Sequence, residues 1–409
     1  MKFPFKLGPG VLVTAAFIGP GTVMTASRAG ATFGFTVLWA VAFSVITAIT
    51  LQAMAARLGV VTKKGLAEAI GSSFANDWMQ WPAIGLILSA ILIGNSAYQA
   101  GNLLGAAEGL RLLTPVSAKV WVVAIAAIAM ALIWVGRYSV LQLVLTVLVA
   151  AMGLIFVASA ILCGPQLFQI ANGFRPAIPA GAEWVIVGLI GTTVVPYNLF
   201  LHASAAAQKY DADDTMAGIT HSFWDTVVSI VVGGIITASL LITAAVAFDG
   251  TDTNSIDAED IANQLRPAMG SWAQYAFAIG LFAAGLTSSI TAPVAAALAT
   301  AGCFGWDTQL SNPRIKMIAS LVIAIGLSLA LVFGKIPTQT IVFAQVANGL
   351  LLPIVAIFLL YALNRKSLLG QYCNSWLANA LGVFVIAITL VLATREFNKV
   401  WTTLSTVLQ

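Results

Sequence analysis

Apolar residues in this chain run together in blocks instead of alternating with polar ones. Eleven blocks approach or exceed ~20 residues, the length a helix needs to cross the hydrocarbon core of a bilayer. They lie at about 9–34, 36–58, 79–107, 119–135, 139–163, 183–209, 219–248, 269–302, 313–333, 336–361 and 374–394. Polar stretches between them are short. The pattern predicts an all-α polytopic membrane protein, one transmembrane domain over 1–409 with no soluble domain. Only Gly136 and Arg137 separate the fourth block from the fifth. The first block is not read as a cleavable leader, because a Gly-Pro-Gly interruption falls in its middle and no small-residue cleavage site follows a compact apolar stretch.

Composition agrees. The chain is 60% hydrophobic and 8% charged, where an ordinary soluble domain carries about 25% charged residues. Lipid must be the solvent, and a soluble enzyme is excluded. No nucleophile–base set argues for catalysis. Cys163, Cys303 and Cys373 are widely spaced, which indicates neither a disulfide framework nor a thiolate metal site. The net charge of +4 forms no basic cluster of the kind that binds nucleic acid. Lysine and arginine favour the inner segments if the N-terminus is cytoplasmic, which puts the C-terminus outside. Trp78, Trp81, Trp121, Trp184, Trp272 and Trp376 fall near block ends and read as interfacial anchors. The longest loop, about 249–268, holds Asp249, Asp252, Asp257, Glu259 and Asp260, either a cation-concentrating mouth or a solvated connector.

Two interruptions stand out. Gly19-Pro20-Gly21 breaks the first block, and Val194-Val195-Pro196-Tyr197-Asn198 breaks the sixth. Proline deletes a backbone donor and glycine weakens the helix, so polar backbone is freed at membrane depth. Such backbone is tolerated where it lines a cavity. Five spans separate the breaks, which matches a five-plus-five inverted repeat with the substrate between two discontinuous helices. The repeats would cover about 9–163 and 183–361, with an extra helix at about 374–394. Two ordinary proline kinks are the plainer reading.

The residues around these breaks resemble the Nramp (natural-resistance-associated macrophage protein) family of divalent-metal transporters. Gly191-Thr-Thr-Val-Val-Pro-Tyr-Asn-Leu-Phe-Leu-His202 is similar to that family's G-A-T-V-M-P-H-N-L-F-L-H, and Gly19-Pro20-Gly21-Thr22 stands where it has D-P-G-N. Ala55 to Thr62, Lys64 to Glu68 and Ala283 to Ile290 are similar to its second loop and eighth span. The resemblance implies the leucine-transporter fold and a bacterial plasma-membrane protein.

It also implies a dismantled metal site. The family's metal-binding Asp, Asn and Met correspond here to Gly19, Thr22 and Val195, and its first sixth-span His to Tyr197. Its acidic pair on the third span, associated with proton passage, appears as Asn95 and Tyr98, and Gln142 stands where a Glu is common. Independently of the family, none of the 15 Asp and Glu residues falls at the centre of a block. Divalent cations need hard anionic oxygen to offset dehydration, so no protein metal site is expected.

The expectation reached from these departures is a small-oxyanion carrier, with bicarbonate the first candidate. Helix halves starting near Thr22 and Asn198 would offer free N–H groups to an anion. Pro20, Gly21, Thr25, Tyr197 and Asn198 would line the pocket, and Arg28 would add positive charge. Arg28 lies six residues past Thr22, roughly 9 Å along the axis, and alternatively snorkels to the interface or pairs with a loop acid. His202 reads as a proton relay or as a hydrogen-bonded core residue. No cofactor is expected beyond Na⁺ as a coupling ion, held by Ser288 and Ser289 with Thr287 and carbonyls near Ala15 and Ile18; close helix packing explains the same hydroxyls. The substrate expected is a small inorganic ion and the other partner the lipid bilayer. Two further readings remain open: a divalent-metal (Mn²⁺ or Mg²⁺) transporter of the Nramp type, and a non-transporting membrane sensor or subunit.

Overall fold

The structure is a computed structural model that describes residues 8–71, 81–82, 84–85, 88–210, 214–248, 258–264, 270–333 and 352–407. Every regular element among these residues is helical. The principal helices are α1 (Gly10–Phe17), α2 (Pro20–Phe33), α3 (Leu38–Thr62), α4 (Gly94–Arg111), α5 (Ala118–Val135), α6 (Tyr138–Leu162), α7 (Glu183–Thr193) and α8 (Pro196–Lys209). They continue with α9 (Thr215–Ala247), α10 (Trp272–Cys303), α11 (Pro313–Phe333), α12 (Leu352–Leu363) and α13 (Trp376–Val407). Seven helical stretches among the described residues are long and apolar enough to cross a membrane, or eight with the bent pair Leu352–Leu363 and Lys366–Tyr372 counted as one span. The third and tenth expected spans, 79–107 and 336–361, run partly outside the described residues.

Local chemistry accounts for the boundaries. Gly136 sits at φ +67°, the left-handed conformation that ends a helix without a Cβ penalty, so α5 stops there and α6 begins at Tyr138. The last helix begins near its expected start but runs on to Val407. On α6, Leu143, Val147, Leu154 and Ile161 are exposed while Leu141, Leu145, Val149, Met152 and Phe156 are buried. These are the two faces of one apolar helix, one against lipid and one against the bundle. By contrast α10 is buried over nearly its whole length and forms the centre of the molecule.

The packing repeats itself with a shift of five spans. Broken span α1–α2 packs on α9, and broken span α7–α8 packs on α3. Moving each member five spans along turns one pair into the other. The pairs α3 with α9, α4 with α10 and α5 with α11 map onto themselves under the same shift, and all three are in contact. This is the signature of an inverted repeat, and the fold is the leucine-transporter fold with its first and sixth spans discontinuous.

The breaks lie slightly upstream of their expected positions. Non-helical backbone covers Ile18–Gly19 and Val194–Val195, not Gly19–Gly21 and Val194–Asn198. The reason is the proline at the first helical position of each second half. Its φ is already helical and the N–H it lacks would be unpaired there anyway, so it restarts the helix at once.

Candidate functional site

The two breaks have matching backbones. Ile18 (φ −81°, ψ 72°) and Gly19 (φ −104°, ψ −178°) correspond to Val194 (φ −104°, ψ 70°) and Val195 (φ −78°, ψ 125°). In both, the last residue of the first half closes a helical bond, Ile18 N–H to Thr14 O at 3.1 Å and Val194 N–H to Ile190 O at 2.9 Å. Each proline then removes the donor that would have bonded the carbonyl four residues earlier. Pro20 releases Ala16 O, and Pro196 releases Thr192 O.

Ala16 O becomes the meeting point of three spans. Tyr197 of α8 donates its phenol to it at 3.0 Å, and Ser288 of α10 donates its hydroxyl at 3.3 Å. Tyr98 of α4 completes the cluster, its ring 5.7 Å from that of Tyr197. Gly19 lies against the same groups: a Cβ there would come within 2.6 Å of Ser288 Oγ and 3.3 Å of the Tyr98 hydroxyl. The break therefore needs glycine for space, not for its dihedral angles. Thr22 turns back and donates its hydroxyl to Phe17 O.

The second break is satisfied differently. Asn198 occupies the position equivalent to Thr22, two residues past the proline, and its N–H bonds Val195 O at 3.0 Å. Its side chain is fully buried, and neither the amide oxygen nor the amide nitrogen has a described partner. Thr25 and Ser289 are also buried with unpartnered hydroxyls. Buried polar atoms without partners cost about 1–3 kcal/mol each, so such a group marks a place where water or a bound ion belongs. Pro20, Gly21, Thr22, Val195, Tyr197 and Asn198 are all buried, so the two breaks are closed to both sides in this conformation.

Several predicted site residues lie elsewhere. Arg28 is half-buried eight residues into α2, about 12 Å from the restart at Pro20, and makes no hydrogen bond or ion pair with a described residue; it is not part of the break cluster. His202 is one turn beyond Asn198 and is engaged with α3, its Nδ1 lying 3.1 Å from Gln52 Oε1. The other ends of the pair, His202 Nε2 and Gln52 Nε2, are buried with no described partner. Of the proposed Na⁺ ligands, Thr287 spends its hydroxyl on Ala284 O of its own helix, while Ser288 points to the first break. From the acidic loop, Glu259 pairs with Arg111, which also holds Glu108 at 2.6 Å; those two acids draw the Arg111 guanidinium above its ordinary value, the bond to Glu108 being the larger cause.

Asn95 serves helix packing, together with Gln99, Asn102 and Pro293, which the sequence pattern alone does not single out. It donates to Ala292 O at 3.2 Å, and one turn later Gln99 donates to Ser289 O at 3.2 Å. Asn102 in turn bonds Gln99. Pro293 lies inside the continuous α10 and deprives Ser289 O of its helical donor, and the Gln99 amide replaces it. The sequence shows a proline within one apolar block and a Gln and two Asn in another, but not that they face each other. Between these helices Gly285 would place a Cβ 2.4 Å from that of Ala106, so α4 and α10 approach closely through small residues.

Among the described residues no group of three or more His, Cys, Asp and Glu side chains is arranged to hold a metal ion. The arrangement offers neutral oxygens only: hydroxyls, an amide and released carbonyls.

The family model for natural resistance-associated macrophage protein-like proteins matches residues 10–397. A Granulibacter bethesdensis protein named divalent metal cation transporter MntH is 28% identical over 407 residues, covering 96% of this chain and 88% of the relative. A solved manganese transporter of Eremococcus coleocola aligns with a TM-score of 0.78 at 21% identity, over 97% of this chain and 88% of that one. The transporter MhsT, solved with L-phenylalanine, aligns with a TM-score of 0.63 at 16% identity, over 96% of this chain and 99% of that one.

Proposed function

Since the chain belongs to the Nramp family, we propose that it is a secondary transporter of divalent metal ions whose site works through neutral oxygens. The small-oxyanion expectation, bicarbonate included, is corrected: the relatives that match nearly the whole chain are named divalent metal cation transporters.

The observation that carries this reading is the direction of the hydroxyls at the breaks. Those of Tyr197, Ser288 and Thr22 all donate to backbone carbonyls. A hydroxyl has one proton to give, so what these groups retain is oxygen lone pairs, which attract a cation and repel an anion. Of the donors the oxyanion expectation relied on, Pro20 and Pro196 have no N–H, the Asn198 backbone N–H is bonded to Val195 O, and Arg28 stands apart; the Asn198 amide nitrogen and the Thr25 and Ser289 hydroxyls keep theirs.

With no carboxylate, thiolate or thioether among the described residues at the breaks, full dehydration of Mn²⁺ or Mg²⁺ is uncompensated by them. The cargo therefore keeps part of its water shell, with Asn198 Oδ1 and the released Thr192 carbonyl as direct or water-mediated ligands. Coupling to Na⁺ near Ser288 and Ser289, and a cytoplasmic N-terminus in a bacterial plasma membrane, belong to the same proposal.

The test is uptake into proteoliposomes loaded with a fluorescent divalent-ion indicator, with Mn²⁺ and Mg²⁺ supplied outside, each with and without Na⁺. Saturable influx of either ion, lost in Asn198→Leu, is expected. Absence of influx of both ions from protein shown to be folded overturns the proposal.

A further inference from the structure

The firmest attachment of the first span is at its N-terminal end, far from the break. Asp225 of α9 is 8% exposed. One of its carboxylate oxygens accepts the Gly8 N–H at 2.9 Å and the other accepts the Gly10 N–H at 2.7 Å. Gly10 opens α1, so the carboxylate stands at the donor-rich, positive end of that half-helix. One turn further along, Thr14 donates its hydroxyl to Ser229 O at 2.7 Å.

The two glycines are required by this contact. A Cβ on Gly8 would lie 2.1 Å from Asp225 Oδ2, and one on Gly10 would lie 2.6 Å from Asp225 O. Both positions are kept bare so that the chain can reach the carboxylate. At its other end α1 stops at the non-helical Ile18–Gly19 pair. Beside it, a groove of about 760 Å³ between α6 and α9 is floored by Val11 and Thr14 of α1. The half-helix is thus hinged at one end and fastened at the other, and it borders a groove whose α6 wall includes Leu154 and Ile161 of the lipid-facing side.

We propose that Asp225 is a positioning residue that latches α1 against α9, and that its protonation releases the half-helix. As a carboxylate it accepts both N–H groups. One proton taken from solvent removes the charge at the positive helix end and turns one oxygen into a hydroxyl, a much weaker acceptor for the N–H it faces, so one of the two charge-assisted bonds is lost. Nothing else changes hands. The charged and titratable groups that act on it across the packing are Tyr138 of α6 and, at the end of α8, Lys209 and Tyr210; His221, one turn earlier on its own helix, is exposed. Given the transporter reading, this makes opening of the site on the α1 side sensitive to pH.

The experiment reads the position of α1, not transport. Ala205 of α8 is 5% exposed and lines the same small cavity as Leu12 of α1, so a cysteine at that position is covered while α1 is latched. In a background with Cys163, Cys303 and Cys373 changed to serine, Ala205→Cys is labelled with a maleimide at pH values from 8 to 5, each rate normalised to the unfolded protein. With Asp225 present, labelling accelerates about tenfold as the pH falls, the change expected for one charge-assisted hydrogen bond lost. Asp225→Asn, which accepts only one of the two bonds, is labelled at the fast rate throughout. A flat profile with Asp225 present, or an unchanged pH response in Asp225→Asn, overturns the latch. If the Asn variant does not fold, the profile with Asp225 present decides alone. A pH response in protein that moves neither Mn²⁺ nor Mg²⁺ leaves the latch standing and removes the proposed cargo.

Discussion

At the first break Ile18 and Gly19 leave the helix and Pro20 restarts it; at the second Val194, Val195 and Pro196 do the same with nearly the same dihedral angles. Around the first break the released Ala16 carbonyl is taken by Tyr197 and Ser288, and Thr22 folds its hydroxyl back onto Phe17 O. Around the second, Asn198 is buried with both ends of its amide unpartnered. The repeat duplicated a backbone and then divided the labour. One copy is fastened into the bundle by neighbouring spans, and the other holds unspent polar atoms at membrane depth. Unsatisfied groups are costly there, and on the proposed function an ion or its water shell would repay the cost at the second break.

The largest effect that would break this contrast is at Gly19. Gly19→Ala forces a methyl to within 2.6 Å of Ser288 Oγ, which by the usual cost of overpacking destabilises by about 1–3 kcal/mol. Thermal unfolding in detergent should fall accordingly and uptake should be lost. Adding Ser288→Ala should restore much of both, because the clashing oxygen is gone; a double variant no better than the single one would mean the glycine is needed for something other than space.

Gln99→Leu tests the support beneath the first break. It strands Ser289 O in a buried helix, a loss of about 1–3 kcal/mol. Pro293→Ala in the same protein returns an N–H to that carbonyl and should recover the stability. Without recovery, Gln99 does not act through the proline gap.

A smaller and more pointed comparison sets Thr22→Val against Asn198→Leu. The first removes a made bond and should cost about 1 kcal/mol of stability. The second removes atoms that bond nothing described, so stability should hold or rise while divalent-ion uptake disappears. Equal stability losses in the two would erase the division of labour.

The smallest effect expected is at Pro196. Replacing it with Ala gives up about 0.4–1 kcal/mol of unfolded-state restriction and returns a helical donor to Thr192 O. A slight fall in unfolding temperature with a distinct loss of uptake is expected. Unchanged uptake would show that the released carbonyl is not used.

Much of this was legible before any tertiary contact was known. The spans, the two breaks, their five-span separation and the glycine, tyrosine and asparagine beside them follow from run length and from the chemistry of proline in a helix. Those are local properties, and in lipid, where backbone must satisfy itself, they dictate a bundle of membrane-crossing helices; the leucine-transporter fold itself was implied by the family resemblance. The sign of the site was not legible. Replacing a carboxylate with Gly19 and adding Arg28 suggested an anion, because sequence counts charges but does not show where a hydroxyl sends its proton or whether an arginine meets the groups around a break. Only the tertiary structure decided that Tyr197 and Ser288 donate to Ala16 O, that Arg28 stands apart, and that Asn95 and Gln99 repair α10 around Pro293. The bond from Asp225 to Gly8 and Gly10 joins residues more than two hundred positions apart; nothing local foretells it, since it exists only once the first and seventh spans lie side by side.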